Sequence, residues 1–308
     1  MKGKYLILIY LVGIVVIMLL FSLPFLGVPS FYLTLLTLTY MYISLSLCWN
    51  WLGGFAGYLN LGHAAFFGVG AYFSAMLAIY YKVPQLLSAP FAGLLAAVLA
   101  LGLGFAAFRF RGVYFGIVTI SLVFIFLIFV TNLDALGGGR TLFPPPLLSN
   151  NIVLYQVMLG SALVTSIVTR FILKSKLGWG LIAIRGDEDT AACIGVPVFR
   201  YKLLTFALSS FFAGLVGAIY PLLTGVIYPS MVFNVLISVN PVLMSILGGT
   251  TYLMGPVIGA AILLPISYYL SYILMSELHI VLYGALLIAL VTAQPKGLAK
   301  WLFKETRL

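Results

Sequence analysis

The sequence predicts an all-α, polytopic transmembrane helical bundle. Three observations carry that prediction. The chain is 63% hydrophobic and only 7% charged, against about 25% charged in an average soluble domain, so lipid has to be the solvent for most of its surface. Ten apolar runs, broken at Pro, Gly and charge, approach the length of about 20 residues that a spanning helix needs. The basic residues fall between those runs, and almost all of them on one side.

The runs lie at 5–23, 31–51, 63–81, 88–108, 113–132, 151–172, 202–221, 232–248, 255–275 and 279–293. The first follows Lys2 and Lys4, as a secretory leader would. A leader has an apolar core of about 7–15 residues followed by an A-x-A-like cleavage site. The run from Tyr5 to Leu23 is longer and continues as SLPFLGVPS, so it reads as a retained first span. With a cytoplasmic N-terminus, Lys2, Lys4, Arg109, Arg111, Arg170, Lys174, Lys176, Arg185, Arg200, Lys202, Lys296, Lys300, Lys304 and Arg307 fall inside. Of the 16 Lys and Arg residues only Lys82 and Arg140 then fall outside. That bias predicts an even number of spans with both termini cytoplasmic.

The segment 133–150, LDALGGGRTLFPPPLLSN, is rich in Gly and Pro and falls outside. It divides a single transmembrane domain, 1–308, into halves 1–132 and 151–308. HAAFFGVGAY at 63–72 resembles SSFFAGLVGAIY at 209–220. Two accounts fit this: an internal repeat of two halves, or small residues recurring wherever membrane helices pack closely.

The net charge of +10 does not point to nucleic acid, because the cations are spread between apolar runs and form no patch; they set membrane orientation instead. Two cysteines, Cys48 in an apolar run and Cys193 in a polar loop, make no disulfide framework. No Cys/His cluster has metal-ligand spacing. With only His63 and His279, no nucleophile–base pair can be argued. Neither an enzyme nor a bound cofactor is expected.

Half of the six acidic residues stand together as Asp187, Glu188 and Asp189. A charge at a helix centre costs about 2.5–3.5 kcal/mol on insertion scales, so three would cost on the order of 8–10 kcal/mol. The triplet is therefore expected in water, in the cytoplasmic loop 174–202. Acids before TAACIG favour the N-terminus of a short helix, which Gly195 and Pro197 end. Such a helix, with Ala191 and Ala192 along it, could enter a groove on another protein; a solvated connector is the plainer account.

Polar residues within spans are functional candidates by default. Asn60 and His63 close the stretch GGFAGYLNLGH at 53–63, whose glycines suggest unwound backbone, tolerable only where it is buried in protein or lines a cavity. His63 either helps hold a zwitterion or is a hydrogen-bonded histidine at a helix contact. Asn240 and Pro241 fall inside the eighth run, where proline removes a helical hydrogen bond and a helix broken near the midplane is the usual form of a transport site. Tyr114, Thr119, Ser245 and Thr250 are further pathway candidates. Arg109 and Arg111, at the end of the fourth run, anchor the interface or touch a soluble partner.

The loop pattern AIRxxExxAxxxGVxxxRYKLL, carried by Ala183, Ile184, Arg185, Glu188, Ala191, Gly195, Arg200, Tyr201, Lys202 and Leu203, resembles the cytoplasmic loop of ABC-transporter permeases of the branched-chain amino acid type, the LivM-like family. LNLGHAAFFGVGAY (59–72), FRFRGVYFGIVTIS (108–121), MSILGGTTYLMGPVIGA (244–260) and QPKGL (294–298) resemble further stretches of that family, in its order, from about residue 40 to 298. The resemblance implies a multi-pass permease of the cell membrane that binds no cofactor itself. Its partners would be a second, LivH-like permease, two ABC ATPase subunits that use ATP, and an extracytoplasmic solute-binding protein. It also implies that the loop 183–203 docks the ATPase, with Arg185, Asp187, Glu188, Asp189, Ala191, Ala192, Gly195 and Arg200 as the coupling residues. In keeping with a separate ATPase, the sequence has no G-x-x-x-x-G-K-[ST].

Where the family commonly has an acid at the position of Asn240, this chain is neutral, and TISLVFIF (119–126) lacks the family's usual glutamate. A urea or short-amide permease is thus the nearest alternative. A carrier or channel driven by an ion gradient is a further alternative, though few intramembrane acids are present to carry protons.

Overall fold

The structure, a computed structural model, describes residues 18–147, 150–273, 284 and 297–302. Within them the chain is helical, and helices begin and end where local chemistry demands it. Pro29 precedes α1 (Ser30–Leu52), and α2 (His63–Tyr81) stops at Lys82 in a left-handed conformation, φ 55°. Pro84 precedes α3 (Gln85–Ala107) and Gly112, at φ 58°, precedes α4 (Val113–Asn132). The Asn150 side chain accepts a hydrogen bond from the Ile152 N–H at 3.1 Å and so caps α5 (Asn151–Lys174), satisfying one of the donors left free in a first turn.

Two shorter helices follow, α6 (Lys176–Gly186) and α7 (Glu188–Cys193). After Pro197 comes the longest helix, α8 (Val198–Thr224), ended by Gly225 at φ 72°. The one-turn α9 (Pro229–Val232) leads into α10 (Val235–Gly248), then α11 (Gly255–Ile273), and α12 (Ala299–Leu302) closes the described chain.

Among the described residues seven segments are long and apolar enough to cross a membrane, with α9 and α10 counted as one, and Gly255–Ser271 is a shorter apolar helix. The chain is a multi-pass, all-α membrane protein. Runs two to nine of the sequence each coincide with one of these helices to within a few residues. The first run is described only from residue 18, as helix to 22 and then a 3-10 turn at Leu23–Leu26. The tenth, 279–293, lies outside the described residues but for Gly284.

The eighth run differs from expectation. Helix α10 passes through Pro241 without interruption. The break comes earlier, at Phe233 and Asn234, where the Asn234 carboxamide accepts from the Leu236 N–H at 2.9 Å and starts the helix anew. A capping asparagine competes for the backbone at a position where a proline is not needed to stop it.

Helices α1 and α8 run through the middle; α8 packs on α1, α2 and α3, and α1 also meets α5, α10 and α11. Lipid tails supply no hydrophobic drive between helices, so close approach of small residues has to supply packing energy. A Cβ on Gly70 of α2 would strike the backbone of Gly214 in α8, one on Gly217 would strike that of Phe67, and one on Gly93 of α3 would crowd the Phe211 carbonyl less severely, at 2.8 Å. The look-alike stretches 63–72 and 209–220 therefore pack on each other, and both use their glycines at the same crossing. Helices α10 and α11 meet likewise through Gly248, Gly255 and Gly259.

The connections gather at two ends. One end holds 53–62, 108–112, 175–197, 249–254 and 297–298, tied by Asn50 to the Thr250 carbonyl (3.1 Å) and by the Leu298 N–H to the Leu247 carbonyl (2.9 Å). The other holds 82–84, 133–147 and 225–234. There the Gln85 carboxamide donates to the Pro145 carbonyl (2.9 Å), and Leu142 and Ile227 exchange two backbone hydrogen bonds, 2.8 and 3.0 Å. Lys82 and Arg140, the two cations expected outside, share this second end.

Candidate functional site

Helices α6 and α7 form an elbow between α5 and α8. Ser175 accepts from the Gly178 N–H and starts α6; Asp187 accepts from the Thr190 N–H at 2.7 Å and starts α7. Gly195, at φ 88°, turns the chain toward Pro197 and α8. The short helix expected after the acids is α7, and α6 precedes it. Asp187, Asp189, Ala192, Gly195 and Arg200 are exposed, whereas Ala191 is buried beneath α7.

The expectation that all three acids stand in water does not hold for Glu188, whose side chain is only 18% exposed. Its carboxylate turns inward. Lys202 Nζ donates to Oε1 at 2.6 Å, and the Tyr58 hydroxyl donates to Oε2. Lys202 Nζ also donates to the Tyr58 hydroxyl oxygen at 2.9 Å. This lysine is 3% exposed and lies in an aromatic box, 4.5 Å from the Tyr58 ring centroid and 5.4 Å from that of Phe108. Phe108 in turn stacks on Phe115 at 4.9 Å and meets the edge of Phe206. A buried ammonium is tolerated only when paired and hydrogen-bonded, and each partner here supplies the other's counter-charge.

Arg111 closes the outer side, 3.8 Å from Glu188 and 3.0 Å from Asp189. Partial burial alone would raise the Glu188 carboxyl; the hydrogen bonds from Lys202 and Tyr58, with the Lys202 and Arg111 charges, outweigh it and hold the group below its ordinary value. The Asp187 carboxyl is lowered too, by the hydrogen bonds it accepts from Thr190 as a helix cap. The hydrogen bond that Arg111 donates to Asp189, with the Glu188 and Asp189 charges, raises the Arg111 guanidinium.

Residues 53–62 are not helical, as the glycines suggested, and most of them are buried. The elbow is fastened to this segment twice, through the Tyr58 hydroxyl and through Arg185, whose guanidinium donates to the Gly54 carbonyl at 2.7 Å. Gly57, at φ 76°, lies against the Arg185 side chain. The far part of the segment is held in a polar cluster. Trp49 Nε1 donates to the Asn60 carbonyl (2.8 Å), Asn60 Oδ1 accepts from the Gly62 N–H (2.9 Å), and Thr119 Oγ1 accepts from the Leu61 N–H (3.0 Å). His63 Nε2 pairs with Ser209 Oγ at 2.8 Å, and Ser238 Oγ accepts from the Ala64 N–H at 2.8 Å. Asn60 Nδ2 and His63 Nδ1 are buried without a hydrogen-bond partner.

Asn60, His63 and Thr119 are thus brought together. Ser245 is buried apart from them, donating to the Ser46 carbonyl at 3.1 Å. Asn240 is half-buried beside Tyr42. Tyr114, offered as a pathway residue, is 70% exposed on the outside of the bundle and joins no polar cluster, as suits an aromatic ring near a membrane interface. Sequence reasoning missed Tyr58, Ser209 and Ser238, and used Lys202 only as a topology marker and as part of the loop pattern. The one signal was a lysine at the start of an apolar run with an acid a short loop before it.

Buried polar backbone between membrane helices, linked to a charged elbow, marks the class as a membrane transport component. The chain belongs to the family described as branched-chain amino acid transport system / permease component, which it matches over residues 31–291. It is 31% identical over 296 residues to the high-affinity branched-chain amino acid transport system permease protein LivM of Escherichia coli strain K12, an overlap covering 85% of this chain and 68% of that one. The protein of the same name from Salmonella typhimurium is 30% identical over the same shares. No solved structure matches the chain.

Proposed function

We propose that the chain is the membrane-spanning subunit of an ABC importer for branched-chain or related hydrophobic amino acids. A separate ATPase energises it through the elbow at 183–203. The carrying observation is membership of a branched-chain amino acid permease family along nearly the whole chain. The elbow adds support. It projects from the end that holds nearly all the described cations, the end the charge bias assigns to the cytoplasm.

On this reading the exposed Asp187, Asp189, Ala192, Gly195 and Arg200 face the ATPase, and Ala191 seats α7 on the bundle. Asn60, His63 and Thr119 border the path of the solute, where the buried Asn60 Nδ2 donor and the His63 Nδ1 atom have no hydrogen-bond partner and are available to a carboxylate or amide. ATP is used by the partner chain. A second permease of similar fold, two ATPase subunits and an extracytoplasmic binding protein complete the importer, and ATP binding shifts it between inward- and outward-facing states.

The test is a pull-down of the ATPase on the tagged chain, followed by leucine uptake into vesicles. Ala192→Lys combined with Gly195→Arg is expected to abolish ATPase capture while the chain still reaches the membrane, and uptake is expected to require ATP. Leucine moving at full rate through the chain alone would overturn the reading. Uptake of urea in preference to leucine would overturn the choice of solute.

A further inference from the structure

We infer that Glu188, Lys202 and Tyr58 are positioning residues for transport. They form a link inside this chain that carries movement of the elbow to residues 53–62, and Glu188 does not face the ATPase. The inference deepens the reading above and rests on it.

The sequence alone places Glu188 among the docking acids. The structure turns it the other way, with both carboxylate oxygens occupied by Lys202 and Tyr58. Its neighbours Asp187 and Asp189 remain on the surface. The link is stiff for a physical reason. Lys202 is almost wholly buried, and a charge so placed cannot be parted from its counter-charge without a large penalty. Elbow, α8 and Tyr58 therefore move together or not at all.

Tyr58 is also the hinge point of a short path. It lies in non-helical backbone whose next few residues are Asn60, Leu61 and Gly62, and they end at His63. Those residues, with Ala64 just beyond them, are held by bonds to the side chains of Trp49, Thr119, Ser209 and Ser238, which come from four different helices. Irregular backbone changes its dihedral angles more readily than a helix, whose hydrogen bonds are all internal. A pull on Tyr58 is thus delivered to the Asn60 and His63 region, where two polar groups await partners. Arg185, bound to the Gly54 carbonyl, fixes the near end of the same segment.

The experiment uses the complex purified on the tagged chain with its co-purifying ATPase, reconstituted in vesicles. It reads ATPase capture, ATP hydrolysis and uptake of radiolabelled leucine, and the deciding quantity is leucine moved per ATP hydrolysed. Glu188→Gln and Lys202→Gln are expected to keep capture and hydrolysis while that ratio falls about tenfold, the scale of an ordinary coupling between sites. The combined substitution is expected to fall no further. The exchange Glu188→Lys with Lys202→Glu is expected to recover part of the ratio.

Tyr58→Phe removes one hydroxyl and decides the matter should the charge variants not fold; its ratio is expected to fall less, but measurably. Loss of ATPase capture in Glu188→Gln would overturn the inference and make the carboxylate a docking contact. Uptake and hydrolysis falling together at constant ratio, or an unchanged ratio in Tyr58→Phe, would overturn it by leaving the cluster a purely structural role. A wild-type complex that captures no ATPase would overturn the proposed function and this link with it, whereas a coupled wild type with unaffected variants would overturn the link alone.

Discussion

Lys202 and Glu188 bind each other in a nearly dry site, and their energetics separate stability from function. Removing one member of a buried pair leaves an uncompensated charge, which costs about 3–5 kcal/mol, whereas replacing both by neutral groups is often close to neutral. Lys202→Met is expected to lower the melting temperature of the detergent-solubilised protein markedly. Lys202→Met with Glu188→Gln is expected to recover most of that loss, and a double variant as unstable as the single one would refute the pairing. The pair also has a pH signature. The folded protein holds the Glu188 carboxyl below its ordinary value of 4.5, so its contribution to stability is fully present at neutral pH. That contribution is lost as pH falls through the lowered value. The difference in melting temperature between wild type and Glu188→Gln is therefore expected to stay constant across about pH 6–8 and to shrink only in more acid solution.

The helices owe their arrangement to crossings rather than to propensity. Where α2 meets α8, Gly70 and Gly214 bring the two backbones together with no room for a side chain. Gly214→Leu is expected to destabilise by about 1–3 kcal/mol or more, since overpacking forces backbone shifts. It would show as aggregated material in gel filtration and a lowered melting temperature. Gly102 of α3 has open space around its position, and Gly102→Leu is expected to leave both unchanged. The positions of these helices were legible in the sequence because apolar run length and breaks at Pro, Gly and charge are local properties. The partners of each helix were not, because an amphipathic face is no guide when lipid and protein are equally apolar. The unwound stretch at 53–62 was legible from its glycines. The inward turn of Glu188 was not, for it depends on Tyr58 and Lys202 arriving from distant parts of the chain. The break at 233–234 was missed for a local reason, because Pro241 is the louder signal and the capping Asn234 the stronger one.

At the scale of the molecule, the two ends are built differently. One is laced by charge, with Arg111, Arg185, Glu188, Asp189 and Lys202 in contact or in reach of backbone carbonyls. The other is held by neutral backbone and carboxamide bonds. On the proposed topology the laced end faces the cytoplasm, and the chain carries its own reporter. Cys193 is exposed on the elbow while Cys48 is buried. A membrane-impermeant maleimide is expected to label Cys193 only from the cytoplasmic side of sealed vesicles, and labelling from the opposite side would invert the topology. The bridge between Leu142 and Ile227 has a consequence for biosynthesis. Leu142 leaves the ribosome well before Ile227, with α5 and α8 still to be threaded into the bilayer, so the loop it sits in stays unpaired until both helices have been made. Release of Ile227 lets that bridge close, so it can form only after the helices between the two residues have left the ribosome.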